Sequence, residues 1–544
     1  MAAKELPARP NLEQYKKQAK ELVKACKAGD AASMQRVEVH LPERRNRGAR
    51  CSLADAQFTI SREHGFESWP RFAKHIEALS REREVAALRD PRDAFIRAAC
   101  VPREWHASGT LEDAEAILAA YPQVASNDIY TAAILGDDAA VSRYLSRDRG
   151  NATAKREPYG WDALTYLCFS RYLRIDRARS EGFVRAAKAL LEAGADPNTG
   201  WMENDYEPRG TWESVIYGAA GMAHHAELTR LLLEYGADPN DDETAYHVAE
   251  TRDNTALKVL VESGKLNEKG LVTILLRKTD WHDYEGLKWM LERGVDPNHK
   301  TQWGKRAIHN AVLSDNAIEI FEALLEHGAD PTMVAERSER LPKIAPPRSA
   351  VAMAARRGRA DVLGLFERRG IRVDLPGVDG LIAACARNDV VRVRAIAEEE
   401  PHLVRELLAE GGQLLAQFAG VGNSKGVERL LELGVGVDTL FEDGDGYFDV
   451  ARNSTALHVA AWRARHATVQ LLLERGASVN VVDGKGRTPL VLAVRACVDS
   501  YWKESRSAAS VEMLLNAGAA VSAVDFPCGY AEVDQLLRAH GASE

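Results

Sequence analysis

Three histidines recur at one place in a repeated phrase: His247 in "TAYHVAE", His309 in "RAIHNAV" and His458 in "TALHVAA". Imidazoles at a fixed interval could ligate a metal or shuttle protons. A residue that returns with its phrase each time has a simpler reading, a bond from the ring to backbone in the turn between units. The adjacent pair His224–His225 could share a metal with a distant third ligand, yet successive residues of a helix do not face one site. "EDGDGYFD" (Glu442–Asp449) gathers four acids among glycines like half of a calcium loop, but the twelfth position counted from Asp443 is Ser454 where such a loop needs Glu. "GVGNSKG" (Gly420–Gly426) lacks the Gly-Lys-Ser/Thr ending of a phosphate loop and falls in a helical pattern rather than after a strand. No Gly-x-Ser-x-Gly elbow, HExxH helix or spaced cysteine ligands are present. These residues imply no catalytic constellation, no cofactor and no metal.

Two other groups could recognise a partner. "RRNRGAR" (Arg44–Arg50) could neutralise phosphates, and residues 1–90 hold 18 basic against 13 acidic residues in a chain whose net charge is -9. No recognised nucleic-acid-binding motif follows it, so a solvated basic loop is the preferred reading. Aromatics are denser elsewhere: residues 159–217 contain ten, against about four expected from the chain's 7%. Large aromatics are the commonest interface anchors, which makes Trp161, Trp201, Tyr206 and Trp212 the candidate partner-binding residues, while Phe183 and Tyr217 read as core. The seven cysteines are odd in number, scattered and without a CxxC pair, which suits a reducing compartment. No 18-residue apolar run and no apolar leader at Met1 appear, so a cytoplasmic chain without membrane spans is expected.

The elements that would position these residues are written as a repeated sentence. "LLEAGADPN", "LLLEYGADPN" and "MLERGVDPN" end at Asn198, Asn240 and Asn298, and variants close at Pro331, Asp438, Asn480 and Ser522. In "LLLEYGADPN", Leu231 and Leu232 end an amphipathic helix, Gly236 stops it in a left-handed conformation, and Asp-Pro-Asn makes a turn. The closing glycines stand at 194, 236, 294, 328, 370, 434, 476 and 518. Upstream of each, Ala-rich phrases such as "TPLVLAV" (Thr488–Val494) suit a short helix packed closely on its neighbours. Each unit is therefore a pair of short helices. The two widest gaps hide degenerate units, one closing near Gly264 and one around Leu381–Glu399.

These phrases resemble the ankyrin repeat, whose pattern has Thr-Pro-Leu-His-x-Ala at the first helix and Leu-Leu-x-x-Gly-Ala-Asp after the second. The region with "GFESWP" is similar to amino-terminal regions of uncharacterised bacterial ankyrin-repeat proteins. The resemblance implies an all-α, elongated and curved solenoid of stacked helix-turn-helix units with short hairpin loops. Its expected organisation is a helical cap over residues 1–90, degenerate repeats over 91–160 and the solenoid over 161–544. It further implies a non-enzymatic, monomeric scaffold that binds one or more protein partners through its concave face and inserted loops. Two insertions, Thr199–Trp212 and Thr439–Asn453, are expected to project from the stack. Ser170–Gly182 and Asp499–Ser510 fall between the two helices of a unit. Two other readings compete: a nucleic-acid-associated regulator using residues 1–90, and an enzyme-like pocket between the loops around Trp161–Trp212.

Overall fold

The computed structural model describes residues 4–7, 9–41, 51–101, 109–203, 210–336, 347–500 and 506–542. The chain divides into two compact units, one built on residues 15–69 and 303–544, the other on 70–302. Helix pairs fill both. In the unit of 70–302 they include Ile129–Ile134 with Asp138–Arg147, Ala163–Cys168 with Ser180–Glu192, and Glu268–Asp280 with Tyr284–Leu291. In the other unit the pairs include Ala307–Leu313 with Ile318–Glu326, Ala350–Arg356 with Ala360–Arg368, Gly411–Val421 with Ser424–Glu432, and Ala456–Trp462 with His466–Glu474. First helices pack on first helices and second on second, as Gly411–Val421 does on Ala456–Trp462 and Ser424–Glu432 on His466–Glu474. A single unit cannot cover its own apolar face, so stability comes from this stacking.

The repeated phrases act through local chemistry. Thr455 caps Ala456–Trp462, accepting from the His458 N–H while the His458 ring accepts from the Thr455 N–H in a capping box. The far nitrogen of that ring meets the Val481 and Arg487 carbonyls at 3.1 and 3.0 Å. His309 repeats the arrangement, with the Arg306 N–H on one nitrogen and the Met333 carbonyl 2.9 Å from the other. The structural reading of these two histidines holds. His247 breaks the pattern, lying 3.1 Å from each of two carboxylates, Glu243 and Glu250. All eight closing glycines have positive φ, from +77° at Gly370 to +107° at Gly194, as does Gly264 at +65° in the degenerate unit.

The closing asparagine of three turns, Asn198, Asn240 and Asn480, does more than turn the chain. Asn198 donates to the Gly236 carbonyl at 3.2 Å and accepts from the Asp238 N–H at 2.8 Å, and Asn240 bonds in the same way to Lys265 and Asn267. Asn480 does so with Gly518 and Ala520. One side chain thus ties each of these three turns to the next. The second degenerate unit appears as Gly377–Ala386 with Val390–Glu399, followed by an additional helix, Pro401–Ala409.

The two large insertions differ from expectation and from each other. Thr199–Trp212 contributes an antiparallel hairpin, β1 (Gly200–Glu203) with β2 (Thr211–Ser214), in an otherwise helical architecture. Thr439–Asn453 folds back instead of projecting. Its Phe441, Phe448 and Val450 join Val459, Trp462 and Leu492 in one buried cluster.

Candidate functional site

The hairpin begins where the closing turn at Gly194 hands over to Thr199, whose hydroxyl donates to the Asp162 carboxylate. Asp162 is itself fixed as the N-cap of Ala163–Cys168, accepting from the Thr165 N–H and hydroxyl at 2.9 Å each. Gly200 is required at the first pair, because a Cβ there would lie 2.2 Å from the Glu213 carbonyl oxygen. The register pairs Trp201 with Glu213 and Met202 with Trp212. Side chains alternate across a strand, so Trp201, Glu203 and Glu213 share the inner face while Met202 and Trp212 form a cross-strand pair on the outer one. Their exposures agree: Met202 is 47% and Trp212 40% exposed, whereas Glu203 and Glu213 are 2% exposed.

Beneath the hairpin runs a file of rings. Trp201 stacks on Trp161 with centroids 5.3 Å apart and meets Phe169 edge-on at 5.8 Å. Phe169 continues to Tyr217 at 6.0 Å, and Tyr217 to His247 at 5.3 Å. Tyr159 stacks on the other side of Trp161 at 4.7 Å. Trp161 is 3% exposed, so its place is beneath the hairpin, holding Trp201, rather than at the surface. Phe183 and Tyr217 are fully buried, as their patterns implied. Tyr206 lies outside the described residues, as does Arg44–Arg50.

The inner face is acidic. Burial, with Glu243 nearby, pushes the Glu213 carboxyl up to about 8, and its Oε2 has no hydrogen-bond partner among the described residues. Burial also raises Asp241 to about 6 against the hydrogen bonds from Ser214 and Thr244. At His247 burial disfavours the charge, but the Glu243 and Glu250 carboxylates outweigh it and raise the ring to about 9. Glu203, Asp241 and Glu243 thus stand near a Glu213 that keeps its proton, while His247 lies between the Glu243 and Glu250 carboxylates and Arg277 is 2.5 Å from Glu250. The sequence reading missed Met202, Glu203 and Glu213. A two-residue alternation in "WME" and "TWES" was the available signal.

The other candidates resolve into structure. Asp449 of the acidic loop pairs with Lys485 at 2.6 Å and with Arg487 and Arg495 at 3.3 Å each. His225 caps Ala226–Glu234 through the Leu228 N–H, with Ser180 on its other nitrogen. Among the described residues no group of three or more His, Cys, Asp and Glu could hold a metal ion, and no helix is long and apolar enough to cross a membrane. All seven cysteines are free thiols.

The family model for ankyrin repeats matches three copies over residues 381–525. Human cyclin-dependent kinase 4 inhibitor B is 32% identical over 113 residues, 21% of this chain and 72% of the inhibitor. The chain belongs to the ankyrin-repeat family. A second ankyrin-repeat relative, the putative ankyrin repeat protein FPV115 of fowlpox virus, is 26% identical over 196 residues, and the match spans about a third of each protein, 35% of this chain and 34% of the viral one. The crystal structure of the human ASB11 ankyrin repeat domain is 20% identical, with a TM-score of 0.24, covering 50% of this chain and 98% of that one. Ankyrin repeats are in general protein-interaction modules. That general role frames what the hairpin can do.

Proposed function

We propose that the protein is a non-enzymatic scaffold that binds partner proteins through the inserted loops and concave face of its ankyrin repeats, with the β1–β2 hairpin as the principal contact. The observation that carries this is the exposed cross-strand pair Met202 and Trp212, two large apolar side chains held side by side on a hairpin that a packed aromatic file supports. Tryptophan is among the strongest interface anchors, and methionine adapts its shape to a partner.

Affinity capture from the native cell extract, comparing the wild-type chain with a Met202→Ala, Trp212→Ala double variant, tests the reading. Circular dichroism should find both folded. A partner held by the wild type and lost by the variant is expected. Identical partners on both would overturn the hairpin as the contact.

A further inference from the structure

In most repeats the residue after the left-handed turn between the two helices caps the second helix. Asp137, Asp283, Asp389 and Asn423 accept from the N–H groups of Ala140, Gly286, Arg392 and Gly426, at 2.9, 3.0, 3.0 and 2.8 Å. Each places an acceptor at the positive end of a helix, where it is favourable. Two repeats of the unit of 303–544 put arginine there instead: Arg359 before Ala360–Arg368 and Arg465 before His466–Glu474, neither capping with its side chain. In a third, the left-handed Asp315 is followed by Asn316, and Ile318–Glu326 starts one residue later from Ala317, which has no side chain that could cap. These three turns, with Val421, Gly422 and Asn423, line one cleft of about 400 Å³.

A cation at a helix N-terminus is electrostatically wrong unless an anion joins it. Asp361 supplies part of that charge, accepting from Arg359 Nε at 2.9 Å and Nη2 at 2.8 Å. Arg359 Nη2 also donates to the Asn316 carbonyl at 2.7 Å, but Nη1 has no partner among the described residues although Arg359 is only 6% exposed. Arg465 is half-buried and spends Nε on the Gly420 carbonyl at 2.9 Å. The neighbouring Asp315 is already taken. It accepts from Arg357 at 2.8 and 2.7 Å and from Arg463 at 3.0 Å, and Arg357 reaches Asp445 at 3.4 Å. Four guanidinium groups (Arg357, Arg359, Arg463, Arg465) thus stand against three carboxylates (Asp315, Asp361, Asp445). Burial holds Arg465 below the usual arginine value.

We propose that this cleft binds a small phosphate ester, its phosphate group taking the place of the missing caps between Arg359 Nη1, the Arg465 guanidinium and the N-termini at Ile318, Ala360 and His466. Helix N-termini and arginine forks both suit a tetrahedral dianion. The volume leaves room for an organic portion beyond the phosphate, within the usual range for ligand clefts.

Isothermal titration of the full chain with inorganic phosphate and with pyrophosphate, at matched ionic strength against chloride and acetate, reads this directly. Three variants accompany it. Arg465→Gln removes charge from a half-buried position; Ala317→Asp places a carboxylate at a residue whose φ of -64° and ψ of 157° already have N-cap geometry. Arg372→Gln alters an exposed arginine outside the cleft. Phosphate should bind the wild type and Arg372→Gln alike, and weaken at least about tenfold in each of the other two. Ala317→Asp should meanwhile melt no lower than the wild type, so that loss of binding there cannot be loss of fold. No heat with phosphate or pyrophosphate, acetate binding equal to phosphate, or unchanged binding in both cleft variants would each overturn the proposal.

Discussion

The two insertions begin at the same place in a repeat and carry similar residues, yet the stack claims them differently. Thr199–Trp212 keeps Met202 and Trp212 at 47% and 40% exposure, while Thr439–Asn453 buries Phe441 and Phe448 to 5% and 6% and leaves Leu440 and Tyr447 at 42% and 50%. The difference lies in what each meets. The second insertion finds guanidinium groups ready to hold it: Arg463 lies 3.9 Å and Arg357 5.2 Å from the Phe448 ring centroid, Arg357 reaches Asp445, and the Trp462 indole donates to the Phe448 carbonyl at 2.6 Å. The first pairs with itself, Gly200–Glu203 against Thr211–Ser214, and leaves one face over. A side chain of an insertion is a contact surface only when nothing in the stack claims it.

The largest effect expected from this contrast is on stability. Phe448→Ala should lower the unfolding free energy by about 3–5 kcal/mol, the usual loss for a buried phenylalanine, read as a shift in the urea midpoint by circular dichroism. A shift as small as that of an exposed residue would mean that the insertion rests on the stack without belonging to it.

Next comes the charge beneath it. Asp315→Asn takes the Asp315 carboxylate from Arg463 and leaves Arg357 only Asp445 at 3.4 Å, and should cost about 3–5 kcal/mol. The same carboxylate sets an acid limit. Burial would raise its pKa, but Arg357 and Arg463 outweigh burial and hold it down to about 2, against 3.8 when unfolded. Its contribution is therefore complete above about pH 4 and lost as the pH falls from there through about 2. The wild type should lose stability across that window, and the loss should be smaller in Asp315→Asn.

Glu213 carries the opposite sign. Its carboxyl is raised from 4.5 to about 8, so the native state holds a proton that the unfolded chain releases. The stabilisation is whole below pH 4.5 and disappears as the pH climbs through 8. Glu213→Gln keeps the neutral form at every pH and should remove that decline, a gain on the order of 4 kcal/mol at pH 8. A melting temperature that declines equally in both proteins would mean that the inner face of the hairpin is open to water.

The repeats themselves were legible because their signals are local. Glycine after a leucine pair and threonine before an alanine run act within four residues, and both are where the pattern implied. The asparagine struts were not, since Asn198 bonds to a turn some 40 residues away and nothing in its own phrase says so. The fate of an insertion was hidden for the same reason: whether Phe448 turns inward depends on Arg357 and Arg463, residues of other repeats. The arginines at the helix starts were visible in principle. Setting Arg359 and Arg465 beside Asp137, Asp283 and Asp389 at the same turn position exposes the substitution of a cation for a cap. Of the four residues chosen for partner contact, Trp212 is on the outer face, Trp201 on the inner face and Trp161 beneath it. Composition could not separate them, because strand alternation decides the facing and a cluster count has no direction.

The smallest change in stability belongs to the outer face of the hairpin. Met202→Ala and Trp212→Ala remove side chains that meet water on one side, and each should alter stability by no more than about 0.5 kcal/mol. Trp201→Ala, by contrast, removes the ring that stacks on Trp161 and should cost several times as much, on the order of 2 kcal/mol for a half-buried aromatic. The pair of measurements sharpens the comparison between insertions, because it asks whether one hairpin has a structural face and a spare face. Equal losses from Trp201→Ala and Trp212→Ala would say that both rings are packed. The outer face would then be as fully claimed as Phe448 is, and the hairpin would have no surface left to offer a partner.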